Sequence, residues 1–262
     1  MRSLLVVLGL LAAVAAQAAP FAWPQGQQAA VSLGYDDGLD SHLDHVVPAL
    51  NQRGLKASFY VPINSPTLPR RQNDWRAAAV AGHELGNHSL FHACSSKPPG
   101  RDWVQPHRDL ETTQPAQVQE QVIVANTWLQ ALDGQTCRTY TLPCLDRLAS
   151  GQDYLGPLRE HFVAFRAASA LLADPATVDP YNVPVYSVEG WSGEQLIALV
   201  EQAAAAHALV AIVFHGVGGE YLDVSRSAHD ALLDHLAQHK DRFWTDSFVH
   251  VMAYVRQKQG AR

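Results

Sequence analysis

Five side chains set the chemistry open to this chain of 262 residues. Asp36 and Asp37 are adjacent in Tyr35-Asp36-Asp37-Gly38. His88 and His92 stand four residues apart in His88-Ser89-Leu90-Phe91-His92. His215 closes the apolar run Ala208–Phe214 and precedes Gly216-Val217-Gly218-Gly219. Two His at i and i+4 face one way on a helical turn, so both imidazoles reach one cation. Neighbouring carboxylates in an extended or kinked segment diverge, which lets one bind a metal while the other faces a substrate. Two His and a carboxylate with open positions form the ligand set of a hydrolytic zinc site. Such a metal acidifies water and polarises a carbonyl, and the second carboxylate serves as base. A His that ends a buried strand beside a Gly-rich turn is placed to protonate a leaving group. The bland alternatives are a solvated acidic turn and a capped core His. The pairs His42–His45 and His235–His239 share the four-residue spacing, but they fall on predicted surface helices and read as solvated.

The surrounding pattern says what must position these groups. Ala29–Tyr35, Lys56–Val61, His83–Asn87, Arg138–Leu142, Phe162–Arg166, Ala208–Phe214 and Phe243–Thr245 read as strands. Helices are predicted for Ser41–Arg53 with Gly54 as its stop, Asn73–Ala81 before Gly82, and Gln114-Pro115 to Asp133 before Gly134. Further helices are Leu155–His161, the segment after the capping box at Ser192 to about His207, Ser227–His239 and Ser247–Gln257. Residues 93–113 carry no period and read as a long loop belonging to a site. Strand-then-helix alternation predicts a parallel sheet or barrel, in which function gathers at the C-terminal strand ends. Asp36, Asp37, His88 and His215 all follow predicted strands.

Composition narrows the class. Apolar residues make up 47% and charged residues 17%, which argues against disorder. The net charge of −6, with no Lys/Arg cluster, argues against nucleic-acid binding. One Arg precedes the apolar run Leu4–Ala16, and Ala16-Gln17-Ala18 follows the small-x-small pattern of signal-peptidase sites. Residues 1–18 are therefore read as a signal peptide and 19–262 as one catalytic domain, periplasmic or secreted, with no membrane anchor after cleavage.

The motifs, in order and spacing, resemble those of the polysaccharide deacetylases, the NodB-homology or carbohydrate esterase family 4 domain, over about residues 25–258. The resemblance implies an α/β fold, a distorted (β/α) barrel of about seven strands. It implies Asp36 as catalytic base, Asp37, His88 and His92 as metal ligands, and His215 as general acid. The implied cofactor is a divalent metal, zinc first, with cobalt or nickel accepted. The implied reaction is removal of acetyl groups from N-acetyl amino sugars of a polysaccharide or oligosaccharide. The alternatives are an O-acetyl esterase on a xylan-like glycan and a non-catalytic metal-containing carbohydrate-binding protein.

Two departures from the family accompany the match. The usual Arg-x-Pro-aromatic segment is replaced by Tyr140-Thr141-Leu142-Pro143-Cys144. Pro143 has no N–H, so Cys144 is the candidate oxyanion donor. Arg138 lies several positions upstream, and Arg166 is read as the cation beside Asp36, against a surface salt bridge. The Asp-Trp segment that supports the acid His is not clear; Asp179, Glu189 and Trp191 all lie in the expected region. A Cys94–Cys144 disulfide would brace the site if both loops meet at the barrel mouth, with Cys137–Cys144 as the alternative. Among loop aromatics, Trp191 and Tyr221 are read as sugar-stacking residues ahead of Trp75, Trp103 and Tyr181.

Overall fold

The computed structural model describes residues 21–169 and 171–261, so the predicted signal peptide lies outside the described residues. Seven parallel strands form a closed barrel: β1 (Ala29–Asp36), β2 (Ser58–Val61), β3 (Glu84–Asn87), β4 (Tyr140–Thr141), β5 (Phe165–Ser169), β6 (Val183–Ser187) and β7 (Leu209–Phe214). Pairing of β7 with β1 closes the ring. An eighth strand, β8 (Phe243–Thr245), pairs with the start of β1. Around the ring pack α1 (Val47–Arg53), α2 (Thr67–Val80), α3 (Pro115–Asp133), α4 (Gly193–Ala205), α5 (Arg226–Gln238) and α6 (Phe248–Gly260). This is the (β/α) barrel expected from the motif resemblance. Its distortion is plainest at β4, which contributes only two residues.

The period-2 geometry of β1 explains its composition, since successive side chains point to opposite faces. Val31, Leu33 and Tyr35 pack outward against the helices. Ala30 faces the other way, into a cluster with Tyr60, Val183, Val185, Leu209, Ala211 and Val213. Gly34 and Asp36 share its parity and face the lumen. A glycine inside a strand marks a close approach of another group. A Cβ on Gly34 would lie 1.8 Å from Arg166 Nη1, and one on Gly86 would lie 2.5 Å from the Tyr60 ring. Both glycines therefore give room to two large side chains that fill the lumen. Glu84 anchors the other end of the strands, accepting from Ser58 Oγ, Thr139 N, Thr139 Oγ1 and Val249 N at 2.5–3.0 Å.

Several elements differ from their predicted form. β5 begins at Phe165 rather than Phe162, because pairing starts where Tyr140 meets Phe165; Phe162 is apolar because it packs in the cluster around Tyr140. Arg166 therefore stands near the start of its strand. Strand β6 has no counterpart in the prediction. It contains Pro184, normally a signal against a strand, and tolerates it where the β5–β6 register shifts. Helix α2 starts at Thr67, six residues early, and is kinked at Arg71. Leu155–His161 is largely a 3-10 turn, Gly156–His161. His42 is fully buried rather than solvated, because the π-helical turn His42–Val46 lays it against Tyr35. Its pair mate His45 approaches Arg226, while His235 bonds to Glu201 Oε1 at 2.9 Å. Trp75 is fully buried in the core against Phe59, so its ring face is not open to solvent.

Three buried imidazoles stand behind the site. His229 shares a 2.7 Å hydrogen bond with the Tyr35 hydroxyl. Burial, aided by Arg53 and His42, pushes its pKa down to about 3. Burial and Lys56 push His83 down to about 4, and burial lowers His42. Between pH 6.5, the ordinary value, and these depressed values the unfolded chain binds protons that the folded chain refuses. Stability should therefore be flat in these groups above pH 6.5 and fall as the pH drops towards 3. Urea unfolding from pH 4 to 7.5 is expected to show this slope. In His229→Gln the slope should be reduced by up to ~1.4 kcal/mol per pH unit, one proton's worth. An unchanged slope would place the linked protons elsewhere.

Candidate active site and metal centre

The two adjacent carboxylates separate because the chain turns between them. Asp36 is the last residue of β1 and points into the lumen. Asp37 adopts the left-handed region (φ 78°), donates its N–H to Tyr60 O (3.0 Å) and points across the barrel mouth. Gly38 continues the turn at φ 62°, where a Cβ would also meet Val61 Cγ1 at 2.7 Å. Asp37 Oδ1 lies 3.3 Å from His88 Nε2 and 3.2 Å from His92 Nε2.

The segment holding the two imidazoles is not the helical turn that the i, i+4 spacing predicts. It is a chain of side-chain caps following β3. Asn87 Oδ1 accepts from Ser89 N (2.7 Å), and Ser89 Oγ accepts from His92 N (3.0 Å). Asn87 is itself fixed by donating to Val122 O and Asn126 Oδ1. Ser89 and His92 both take positive φ, and the two rings come to 4.8 Å. His88 Nδ1 lies 2.9 Å from Thr141 O; donation there leaves Nε2 as the free lone pair.

These contacts set the electrostatics. Burial by itself would raise the Asp37 carboxyl, but His88 and His92 outweigh it and hold it well below the ordinary carboxylate range. Burial by itself would lower His88, but Asp37 and Asp36 raise it. Asp37 Oδ1 is buried and makes no hydrogen bond. One carboxylate oxygen and two imidazole nitrogens thus converge within 4.8 Å. This donor set suits a divalent cation and leaves further positions open. A second convergence, His92 with Cys94 and Cys144, offers no thiolate because Cys94 and Cys144 form a disulfide. Cys137 is free and exposed.

Arg166 is buried and directed at Asp36. Its Nη2 donates to Asp36 Oδ1, its Nε donates to Thr141 Oγ1, and its guanidinium stacks 3.8 Å from the Tyr60 ring centroid. Thr141, which the sequence does not single out, therefore orients His88 through its carbonyl and Arg166 through its hydroxyl. Gly34 did carry a readable signal, an isolated glycine inside an apolar strand. Arg138 is engaged elsewhere, with Asp133 (2.7 and 2.9 Å) and Leu85 O. His215 Nε2 lies 3.8 Å from Asp37 Oδ2, and His215 O lies 2.8 Å from His42 Nε2. Asp179 accepts from Tyr181 N within its own turn, and Trp191 packs on the helical layer. Neither contacts His215. Trp191 and Tyr181, read as sugar-stacking residues, do not line the cavity at the site. Tyr221 does reach the site, but its hydroxyl donates to Asp37 Oδ2 (2.6 Å).

The site opens into a cavity of about 860 Å³ whose rim carries Trp103, Tyr221 and Leu222. Among the described residues nine non-glycine residues have positive φ, and six of them (Asp37, His92, Cys144, Leu145, Glu220, Leu222) line this cavity. Backbone strain of this kind is held in place only where surrounding structure enforces it.

Residues 24–153 match the family model for polysaccharide deacetylase. The chain carries a polysaccharide deacetylase domain. The matched segment holds Asp36, Asp37, His88 and His92, while Arg166 and His215 follow it. The fold of the whole chain is that of carbohydrate esterase family 4. A Mycobacterium smegmatis protein assigned to the polysaccharide deacetylases aligns over 93% of this chain and 96% of its own, at 15% identity and TM-score 0.65. A family 4 acetyl xylan esterase from Clostridium thermocellum, in complex with a cobalt ion, covers 86% and 90% at 19% identity and TM-score 0.53. The Bc1960 peptidoglycan N-acetylglucosamine deacetylase covers 87% and 89% at 17% identity and TM-score 0.54. In sequence the chain is 25% identical over 191 residues to a gellan lyase from a Bacillus species; it spans 7% of that protein's length.

The Asp36–Arg166 pair in this deacetylase domain gives a direct test. Removing one partner of a buried ion pair strands the other, at a cost of about 3–5 kcal/mol. Arg166→Met should lose that much unfolding free energy in urea. Asp36→Asn/Arg166→Met should recover a large part of it. Equal stabilities for the single and double variants would show that loss of Arg166 does not strand Asp36.

Proposed function

We propose that this protein is an exported, metal-dependent deacetylase that hydrolyses acetyl groups of N-acetyl amino sugars in a glycan. One observation carries the reading: three ligating atoms of Asp37, His88 and His92 converge beside a second carboxylate held by an arginine, with an imidazole across the same mouth. The Cys94–Cys144 disulfide supports an oxidising compartment, in keeping with the signal peptide read at residues 1–18. Residues 19–262 would then be the mature catalytic domain.

Asp37, His88 and His92 would hold the divalent ion, with zinc the first candidate and cobalt or nickel next. The chemistry such an ion supplies is Lewis acidity towards an acyl carbonyl and towards water. Asp36, fixed by Arg166, takes a proton from the attacking water as its oxygen bonds to the acyl carbon. The carbonyl oxygen gains the negative charge, and the N–H of Cys144, a residue of the cavity wall, would donate to it. His215 delivers a proton to the leaving nitrogen as the C–N bond breaks, giving acetate and a free amino sugar. Arg166 is the positioning residue for Asp36.

An O-acetyl ester would pass through the same steps with oxygen as leaving atom, and the fold shared with an acetyl xylan esterase favours this as the second reading. Acetate release from chitooligosaccharides, peptidoglycan fragments, acetylated xylan and an aryl acetate should separate the two. Chelator-sensitive release from the N-acetyl sugars is expected. Release from xylan or the aryl ester alone would move the protein to the esterases. Bound metal without any release would leave a non-catalytic carbohydrate binder. Asp36→Asn should keep the metal and lose about 10²–10⁴ in rate, whereas His92→Ala should lose both. An active Asp36→Asn would overturn the base assignment.

A further inference from the structure

The loop after His215 is built to present one side chain. Residues 216–224 fold back on themselves. Gly216 N donates to Tyr221 O (3.1 Å), Gly218 N to Val224 O (2.8 Å) and Val224 N to Gly216 O (3.0 Å). Gly216 is required for this closeness, because a Cβ there would lie 2.1 Å from Gly219 O. The glycine-rich segment is therefore a tight, bonded turn. Glu220 ties it across the mouth of the barrel to the segment that follows Asp36 and Asp37. Its Oε1 accepts from Asp40 N (3.1 Å) and its Oε2 accepts from Ser41 Oγ, which itself accepts from Val217 N (3.4 Å). Tyr221 is half exposed, yet its hydroxyl is delivered to Asp37 Oδ2 at 2.6 Å.

Resting on the reading of Asp37 as a metal ligand, we propose that Tyr221 is a positioning residue of the metal centre. Its O–H occupies Asp37 Oδ2, so that Asp37 meets the ion through Oδ1 alone. A carboxylate binds a cation through one oxygen or both. An oxygen already accepting a short hydrogen bond from a phenol is a poor second ligand. Oδ1, by contrast, is buried, unbonded and 3.2–3.3 Å from both imidazoles. Single-oxygen ligation keeps a position open on the ion, as hydrolysis requires. The same hydrogen bond keeps Oδ2 from His215, whose Nε2 is only 3.8 Å away and is needed for the leaving group. Tyr221 thus acts through Asp37 rather than as a platform for a sugar ring.

The test uses the whole chain and Tyr221→Phe, which removes the hydroxyl and keeps the ring. Zn²⁺ and Co²⁺ affinities are measured by competition with a chromophoric chelator, and the visible absorption of the Co²⁺ form is recorded. The wild-type chain should bind one ion. Tyr221→Phe should bind it about 10–100-fold more weakly, as for loss of a ligand's supporting hydrogen bond. Its Co²⁺ bands should weaken as the second carboxylate oxygen joins the ion. Glu220→Gln, which loosens the tie and leaves the hydroxyl, should move both readouts the same way by less. Wild-type affinity and spectrum in Tyr221→Phe would overturn the proposal, even with turnover reduced. A wild-type chain that binds no ion would instead overturn the metal reading on which it rests.

Discussion

An arginine enclosed in the barrel lumen constrains much of the rest. A guanidinium out of water is costly unless its charge and donors are met. Arg166 offsets most of this cost with Asp36, Thr141 Oγ1 and the face of Tyr60, and only its Nη1 is buried without a hydrogen-bond partner. Each partner imposes a further condition. Asp36 must end β1 on the lumen face. Gly34 must lack a side chain, and Gly86 must leave room for Tyr60. Thr141 must stand on β4 opposite Arg166 of β5, one residue after Tyr140, which pairs with both β3 and β5. The lumen is thus a packed core whose upper layer is ionic.

That layer explains how two adjacent acids come to different surroundings. Asp36 is neutralised by a permanent cation from below. Asp37, turned away by a left-handed backbone, faces two imidazoles and a phenol at the mouth. Neighbouring residues diverge in any extended chain, but the turn at Asp37 enlarges the divergence until the two groups serve separate roles. The energetic cost of the turn is offset by the Tyr60 carbonyl and by the close fit of Gly38 against Val61.

The mouth is held by connections between loops rather than within them. The Cys94–Cys144 disulfide joins the segment after His92 to the turn after Thr141. Arg101 reaches from the long loop to Asp146 and to Cys144 O. Glu220 joins the loop after His215 to the one after Asp37. Strained residues gather on these loops because the cross-connections over-determine their backbones.

Much of this was legible in the chain alone. The predicted strands Ala29–Tyr35, His83–Asn87 and Ala208–Phe214 end within one residue of the observed ends of β1, β3 and β7. The glycines after helices marked their stops, and Gly54 and Gly134 indeed close α1 and α3 in the left-handed region. Both signals are local: burial on two faces and freedom at positive φ are properties of short segments. Other features depended on contacts far apart in sequence. His42 shares its spacing with solvated pairs and is buried only because its helical turn packs on Tyr35. Val183–Ser187 contains a proline and becomes a strand only where the barrel needs a partner between β5 and β7. Trp191 and Tyr221 are equivalent as loop aromatics until the tertiary fold sends one to the helical layer and the other to Asp37. Sequence determined which residue types were available and which strand ends could carry them. Tertiary structure decided their partners, because direction at a barrel mouth follows from register, turn and loop-to-loop bonding summed over the whole ring.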